Sequence, residues 1–126
     1  MNFHFIATDS FDVNSLNDIE IFVEKYPDFQ TISLENENEL KLLLELMNIN
    51  FSSFNALDIR DFEKYWDMSN YKFPELNYEQ FDMFYQNWIL KSKRINTMDE
   101  YGNLIFLQGL SSKWNKLRHR IIIKSA

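Results

Sequence analysis

The chain contains no cysteine, which excludes disulfide scaffolds, iron–sulfur clusters, Cys-ligated zinc and thiol nucleophiles, and fits a reducing compartment. Only two glycines and two prolines occur in 126 residues. So few permissive backbone positions rule out collagen-like or linker-rich architectures and the Gly-rich loop that cradles phosphate in P-loop nucleotidases. The opening Met1 to Asp9 has neither a basic region nor the apolar stretch of a secretion signal. The longest apolar runs, Leu104 to Leu107 and Ile121 to Ile123, fall far short of the roughly 20 residues needed to span a bilayer. A cytoplasmic protein with no membrane partner is therefore expected. No internal repeat or low-complexity segment is present.

Aromatic residues, in contrast, are abundant at 17%, within a hydrophobic fraction of 45%, which excludes a disordered acidic tail. A chain of this mass buries about two thirds of its unfolded surface. It supports one core and predicts a single globular domain over residues 1–126.

Charge is distributed unevenly. The net charge is -6, but residues 1–82 hold 17 acids against 5 bases, whereas residues 83–126 hold 2 acids against 8 bases. An acidic chain is a poor direct binder of nucleic acid, because that binding depends on releasing counterions from neutralised phosphates. An acidic surface suits a basic protein partner.

Hydrophobic periodicity predicts the elements. Alternation over Phe3, Phe5 and Ala7 predicts a first strand, and Leu16, Ile19, Val23 and Tyr26 predict a helix over about 15–26. A second strand is expected around Phe29 to Leu34. The clearest helix follows Asn36, with Glu39 at its third position and Leu40, Leu43, Leu44 and Met47 as its apolar stripe. Ile59, Phe62, Tyr65 and Trp66 align at helical spacing, predicting a helix within 51–67. Asn77 with Gln80 opens a long helix to about Arg94, burying Phe81, Phe84, Tyr85, Trp88 and Ile95, with Lys91, Lys93 and Arg94 complementing its dipole. Gly102-Asn103 reads as a turn into a strand at Leu104 to Leu107 covered on both faces, and Gly109 to Asn115 reads as a further turn. Period-two alternation over Leu117 to Lys124 predicts a last strand with a basic outer face, lying at a charge-guarded edge. The sum is an α+β fold: a small mixed sheet of about four strands packed with about four helices.

Few residues form a catalytic pattern. His4 and His119 are the only imidazoles and lack ligand spacing. Asp9, Asp12 and Asn14 resemble part of a calcium loop, but its glycine and bidentate acid are missing. No serine sits in a Gly-rich elbow. With 19 carboxylates, an acid pair at glycosidase spacing is expected by accident. No cofactor, metal or catalytic residue is expected, and enzymatic action by a carboxylate pair is the weakest reading.

The feature with most content is acid interleaved with large aromatics: Asp58, Asp61, Glu63, Tyr65, Trp66 and Asp67, then Glu75, Tyr78, Glu79 and Asp82. Aromatics anchor protein interfaces while a negative field steers a basic partner. A blander account is that Tyr65 and Trp66 belong to the core and the acids to a wet helix face. Glu35, Glu37 and Glu39 form a smaller acidic group, and Lys113, Lys116, Arg118, Arg120 and Lys124 beside Trp114 a basic one, expected mainly to pair within the chain. Together these features suggest an inhibitor of the immunity-protein or antitoxin type, occluding the basic active-site surface of a toxin, plausibly a nuclease. The alternatives are a phage-type nucleic-acid mimic and an adaptor or secretion chaperone. Oligomeric state is left open.

Overall fold

The computed structural model describes residues 1–8, 29–60, 63–68, 73–117 and 120–125. Strands β1 (Asn2–Thr8) and β2 (Phe29–Ser33) are followed by helix α1 (Glu37–Leu46) and a 3-10 turn (Phe51–Ser53). Next come the hairpin strands β3 (Ala56–Arg60) and β4 (Glu63–Asp67), helices α2 (Tyr78–Ser92) and α3 (Met98–Leu117), and strand β5 (Arg120–Ser125). The strands form one five-stranded sheet in the order β2-β1-β5-β4-β3. The α+β class is as the sequence predicts. The pairing expected to be mixed is antiparallel in all four ladders, so what is mixed is strand order.

Register determines the two faces of the sheet. Phe3 lies opposite Ile32, Phe5 opposite Ile123 and Trp66 opposite Ile123. These side chains join Leu40, Leu43 and Leu44 of α1, Phe81, Phe84, Tyr85 and Trp88 of α2, and Leu104, Leu107 and Trp114 of α3 in the main core. The three described helices therefore pack on one face. The intervening residues His4, Ile6, Tyr65, Ile122 and Lys124 point to the opposite face and are buried as well, with Ile6, Tyr65 and Ile122 forming a second cluster.

Local signals explain the ends of α1 and α2. Asn36 Oδ1 accepts the Glu39 amide at 3.0 Å. At α2 a complete capping box forms, with Asn77 Oδ1 accepting the Gln80 amide at 2.9 Å and Gln80 Oε1 accepting the Asn77 amide at 3.0 Å. Lys93, in the left-handed region at φ 61, closes α2 by donating its amide to the Ile89 carbonyl.

Other expectations are overturned as well. Residues 51–67 contain a 3-10 turn and a hairpin, not a helix. Tyr65 and Trp66 are adjacent yet both buried, on opposite faces, which a strand covered on both sides achieves and a surface helix does not. Leu104 to Leu107 belongs to α3, not to a strand, and the turns expected at Gly102-Asn103 and Gly109 to Asn115 lie within the same helix. Thr97 Oγ1 accepts the Glu100 amide at 3.1 Å, a capping signature that competes with the glycine turn signal. Strand β5 is the central strand and not a guarded edge: Ile122 and Lys124, expected to face outward, are each 1% exposed. Ile95, expected on the buried side of α2, lies beyond that helix and is 81% exposed. The helix predicted over 15–26 falls outside the described residues. Among the described residues no helix is long and apolar enough to cross a membrane.

Candidate functional site

The acidic and aromatic residues singled out in the sequence separate into three groups. Tyr65 and Trp66 are core residues, 3% and 2% exposed, so neither is available as an interface anchor. Trp66 packs in the main core beneath the helices, and Tyr65 packs on the other face with Ile6 and Ile122. Burial also pushes the Tyr65 hydroxyl above its ordinary range, with the nearby Asp67 carboxylate adding to the shift.

Asp67 belongs to an ion pair. Its carboxylate accepts two hydrogen bonds from the Arg120 guanidinium, bidentate geometry that joins β4 to β5. Hydrogen bonding to Asp67 raises the Arg120 pKa despite partial burial. Glu63 is half-buried at the start of β4. Asp58 is exposed on β3, an edge strand, and its register partner is Lys64. Asp61 lies outside the described residues.

The third group, Glu75, Tyr78, Glu79 and Asp82, lies just before and within the first turns of α2 and is exposed. Glu75 Oε1 accepts a hydrogen bond from Ser112 of α3 at 3.3 Å. Tyr78 and Asp82 are four residues apart, as are Glu79 and Met83, so they form one contiguous helical surface. Tyr78 is 77% exposed and Met83 is 67% exposed. Met83 was not among the candidates, although its spacing from Glu79 places it on the same face. Among the described residues of the 58–82 stretch, Asp67 is engaged with Arg120, whereas Glu79 and Asp82 are exposed together on α2.

Two residues of the smaller acidic group, Glu37 and Glu39, are structural. Glu37 pairs with Lys64 of β4 at 2.7 Å. Glu39 Oε1 accepts from Arg94 Nη2 at 2.5 Å and from Nε at 3.2 Å. The same guanidinium donates to Glu100 Oε2 at 3.4 Å and to the Ser33 carbonyl at 3.1 Å. Trp88 Nε1 donates to the second Glu100 oxygen at 2.8 Å, with the Arg94 guanidinium 5.7 Å from the Trp88 ring centre. Arg94 thus ties the end of β2 and the start of α1 to the turn between α2 and α3. Burial alone would lower the Arg94 pKa, but Glu39 and Glu100 outweigh it and raise it.

The basic group does not assemble as an exposed patch among the described residues. Trp114 is fully buried, its Nε1 without a hydrogen-bond partner, so it is not a stacking platform. Lys124 is buried and Arg120 holds Asp67; Arg118 lies outside the described residues. His4 is a packed histidine in β1, with Nδ1 2.8 Å from Thr31 Oγ1, and burial, reinforced by the Lys124 cation, holds its pKa below the ordinary value.

Three of the clefts formed by described residues have volumes of about 340, 470 and 260 Å³. Among the described residues Glu37 is the one carboxylate lining any of these three, so their described linings hold no pair of acids of the kind a glycosidase uses. Among the described residues no three His, Asp or Glu side chains converge as metal ligands. The chain matches no family model, no curated protein and no solved structure.

Proposed function

We propose that the protein is a non-catalytic binding inhibitor of the immunity-protein or antitoxin type, covering the basic active-site surface of a toxin with the exposed face at the start of α2. One observation supports this reading above the others: Tyr78 and Met83, both largely exposed, share a helical surface with Glu79 and Asp82. Helix-dipole stabilisation accounts for an acid in the first turn. It does not account for an exposed tyrosine and methionine beside it. Aromatic and thioether side chains provide contact area, and the flanking carboxylates steer a basic partner and define its approach. The site is narrower than the sequence suggested: Tyr65, Trp66 and Asp67 support the fold, and α2 supplies the contact.

The test is capture of binding partners from host lysate at low and high salt, followed by kinetics with the identified partner. A basic protein whose activity falls on binding, and whose affinity drops at least tenfold with E79K/D82K, is the expected result. Unchanged affinity in that variant, or a captured partner whose activity is unaffected, overturns the reading. If the inhibited partner is a DNA-binding protein for which α2 and the nucleic acid compete, the same carboxylates act as phosphate mimics. The adaptor or secretion-chaperone reading has one observation in its favour, an exposed apolar stripe on α3. Retention of many clients that do not require Glu79 or Asp82 would support that reading.

A further inference from the structure

Helix α3 carries an unusual outer face. Tyr101, Leu104, Leu107 and Trp114 turn toward the core. Met98, Ile105 and Phe106 on the other side are 91%, 41% and 57% exposed. Gly102 and Gly109 lie on the same outer face, one before and one after the Ile105-Phe106 pair. A glycine inside a helix is destabilising relative to alanine, and a side chain added at either position would meet nothing within 4 Å among the described residues. Packing among the described residues therefore gives no reason for either glycine. The sequence reading of Leu104 to Leu107 as a segment covered on both sides finds half of its explanation in the core, and the other half faces outward.

We propose that this face binds a second copy of the same chain, with the two α3 helices antiparallel about a two-fold axis between Ile105 and Phe106. Gly102 and Gly109 are equidistant from it, so each glycine of one copy lies opposite the other glycine of its partner. The axis brings Phe106 of each copy beside Ile105 of the other. Absence of side chains at Gly102 and Gly109 allows close approach on either side of that contact. Charge is also self-complementary in this direction: exposed Asp99 stands at the start of the helix, and Lys113 and Lys116 stand near its end. Antiparallel pairing places the acid of one copy beside the bases of the other, whereas parallel pairing places like charges together. An isologous contact of this kind closes on itself as a dimer. This surface is separate from the acidic face of α2, and the inference does not depend on the inhibitor reading.

Sedimentation equilibrium of the full chain over about 1 μM to 1 mM tests the association. The expected result is a concentration-dependent rise in mass from 15.3 kDa toward the dimer. Phe106→Asp is expected to weaken association at least tenfold. Gly109→Leu distinguishes a contact from a folding effect: it favours the helix and raises the thermal midpoint of the monomer, while blocking close approach and weakening the dimer. The absence of cysteine allows the register to be read by single substitutions. Oxidised Phe106→Cys is expected to form a covalent dimer. Met98→Cys is not, because antiparallel helices about this axis hold the two copies of that position about 22 Å apart along the helix. A monomer throughout the concentration range overturns the proposal, as does cross-linking through Met98→Cys to the same extent as Phe106→Cys.

Discussion

Glu39 and Glu79 are both first-turn acids, each following an asparagine cap, at the starts of α1 and α2 respectively. In the folded chain they have little else in common. The Glu39 side chain is 13% exposed and holds Arg94 beside Glu100 and the Ser33 carbonyl. Glu79 is exposed, with Tyr78 and Met83 exposed beside it. The start of α1 is thus a structural junction and the start of α2 a presented surface. Cap chemistry is local and legible in both. What each carboxylate then does depends on whether the fold brings an arginine to it.

This contrast is tested most strongly by comparing aromatics. Trp66→Ala empties a core position that is 2% exposed and is expected to destabilise the fold by about 3–5 kcal/mol. Tyr78→Ala is expected to change stability by less than about 0.5 kcal/mol, while weakening partner binding. Chemical denaturation of both variants measures the gap, and comparable losses would remove the distinction between core and surface. Next, Glu39→Ala removes the acceptor of two Arg94 hydrogen bonds, an expected loss of about 2 kcal/mol given partial burial. Arg94→Lys should recover little of this, because an ammonium does not reproduce the fork that reaches Glu39, Glu100 and Ser33.

A smaller effect is expected from acid. The His4 pKa lies below its ordinary value because burial, and then the Lys124 cation, disfavour the charged form. The unfolded chain therefore binds the proton more readily, and stability falls as pH drops below about 6.5 toward the folded pKa. At higher pH this group contributes no slope. Unfolding curves between about pH 7.5 and 5 should show the decline, and His4→Gln should flatten it. Last comes E79K/D82K, for which a stability loss of no more than about 1 kcal/mol is expected, from placing positive charge near the helix N-terminus, with the main effect on binding. Destabilisation by more than that would mean that α2's acidic residues serve the fold, as Glu39 does.

Where the sequence failed as a guide, the failures have particular causes. Ile59, Tyr65 and Trp66 satisfy a helical period, but a strand buried on both faces also shows adjacent large apolar residues, and spacing does not separate the two. Leu104 to Leu107 has the same ambiguity in reverse, and there the glycine signal at Gly102 prevailed over Thr97 and Glu100, whose spacing announces a helix start. The edge position assigned to β5 rested on Arg118, Arg120 and Lys124 being solvated. In the fold Lys124 is buried and Arg120 meets Asp67, a partner 53 residues away. For the candidate site, the core reading of Tyr65 and Trp66 was legible in the pattern and is the one the fold adopts, whereas the ion pair that takes up Asp67 was not, because its partner Arg120 is 53 residues away.

Interactions spanning a few residues were encoded directly: the caps at Asn36 and Asn77, the apolar stripes of α1 and α2, and the alternation of β1. These depend on hydrogen bonds and side-chain spacing within one or two turns of chain, which the order of residues specifies. Tertiary structure decided the rest: the placement of β5 at the sheet centre, the role of Arg94 as a junction, and the division of one acidic stretch into buried, paired and exposed groups. These outcomes depend on which distant segments share the core, because burial and ion pairing are properties of the packed environment around a side chain.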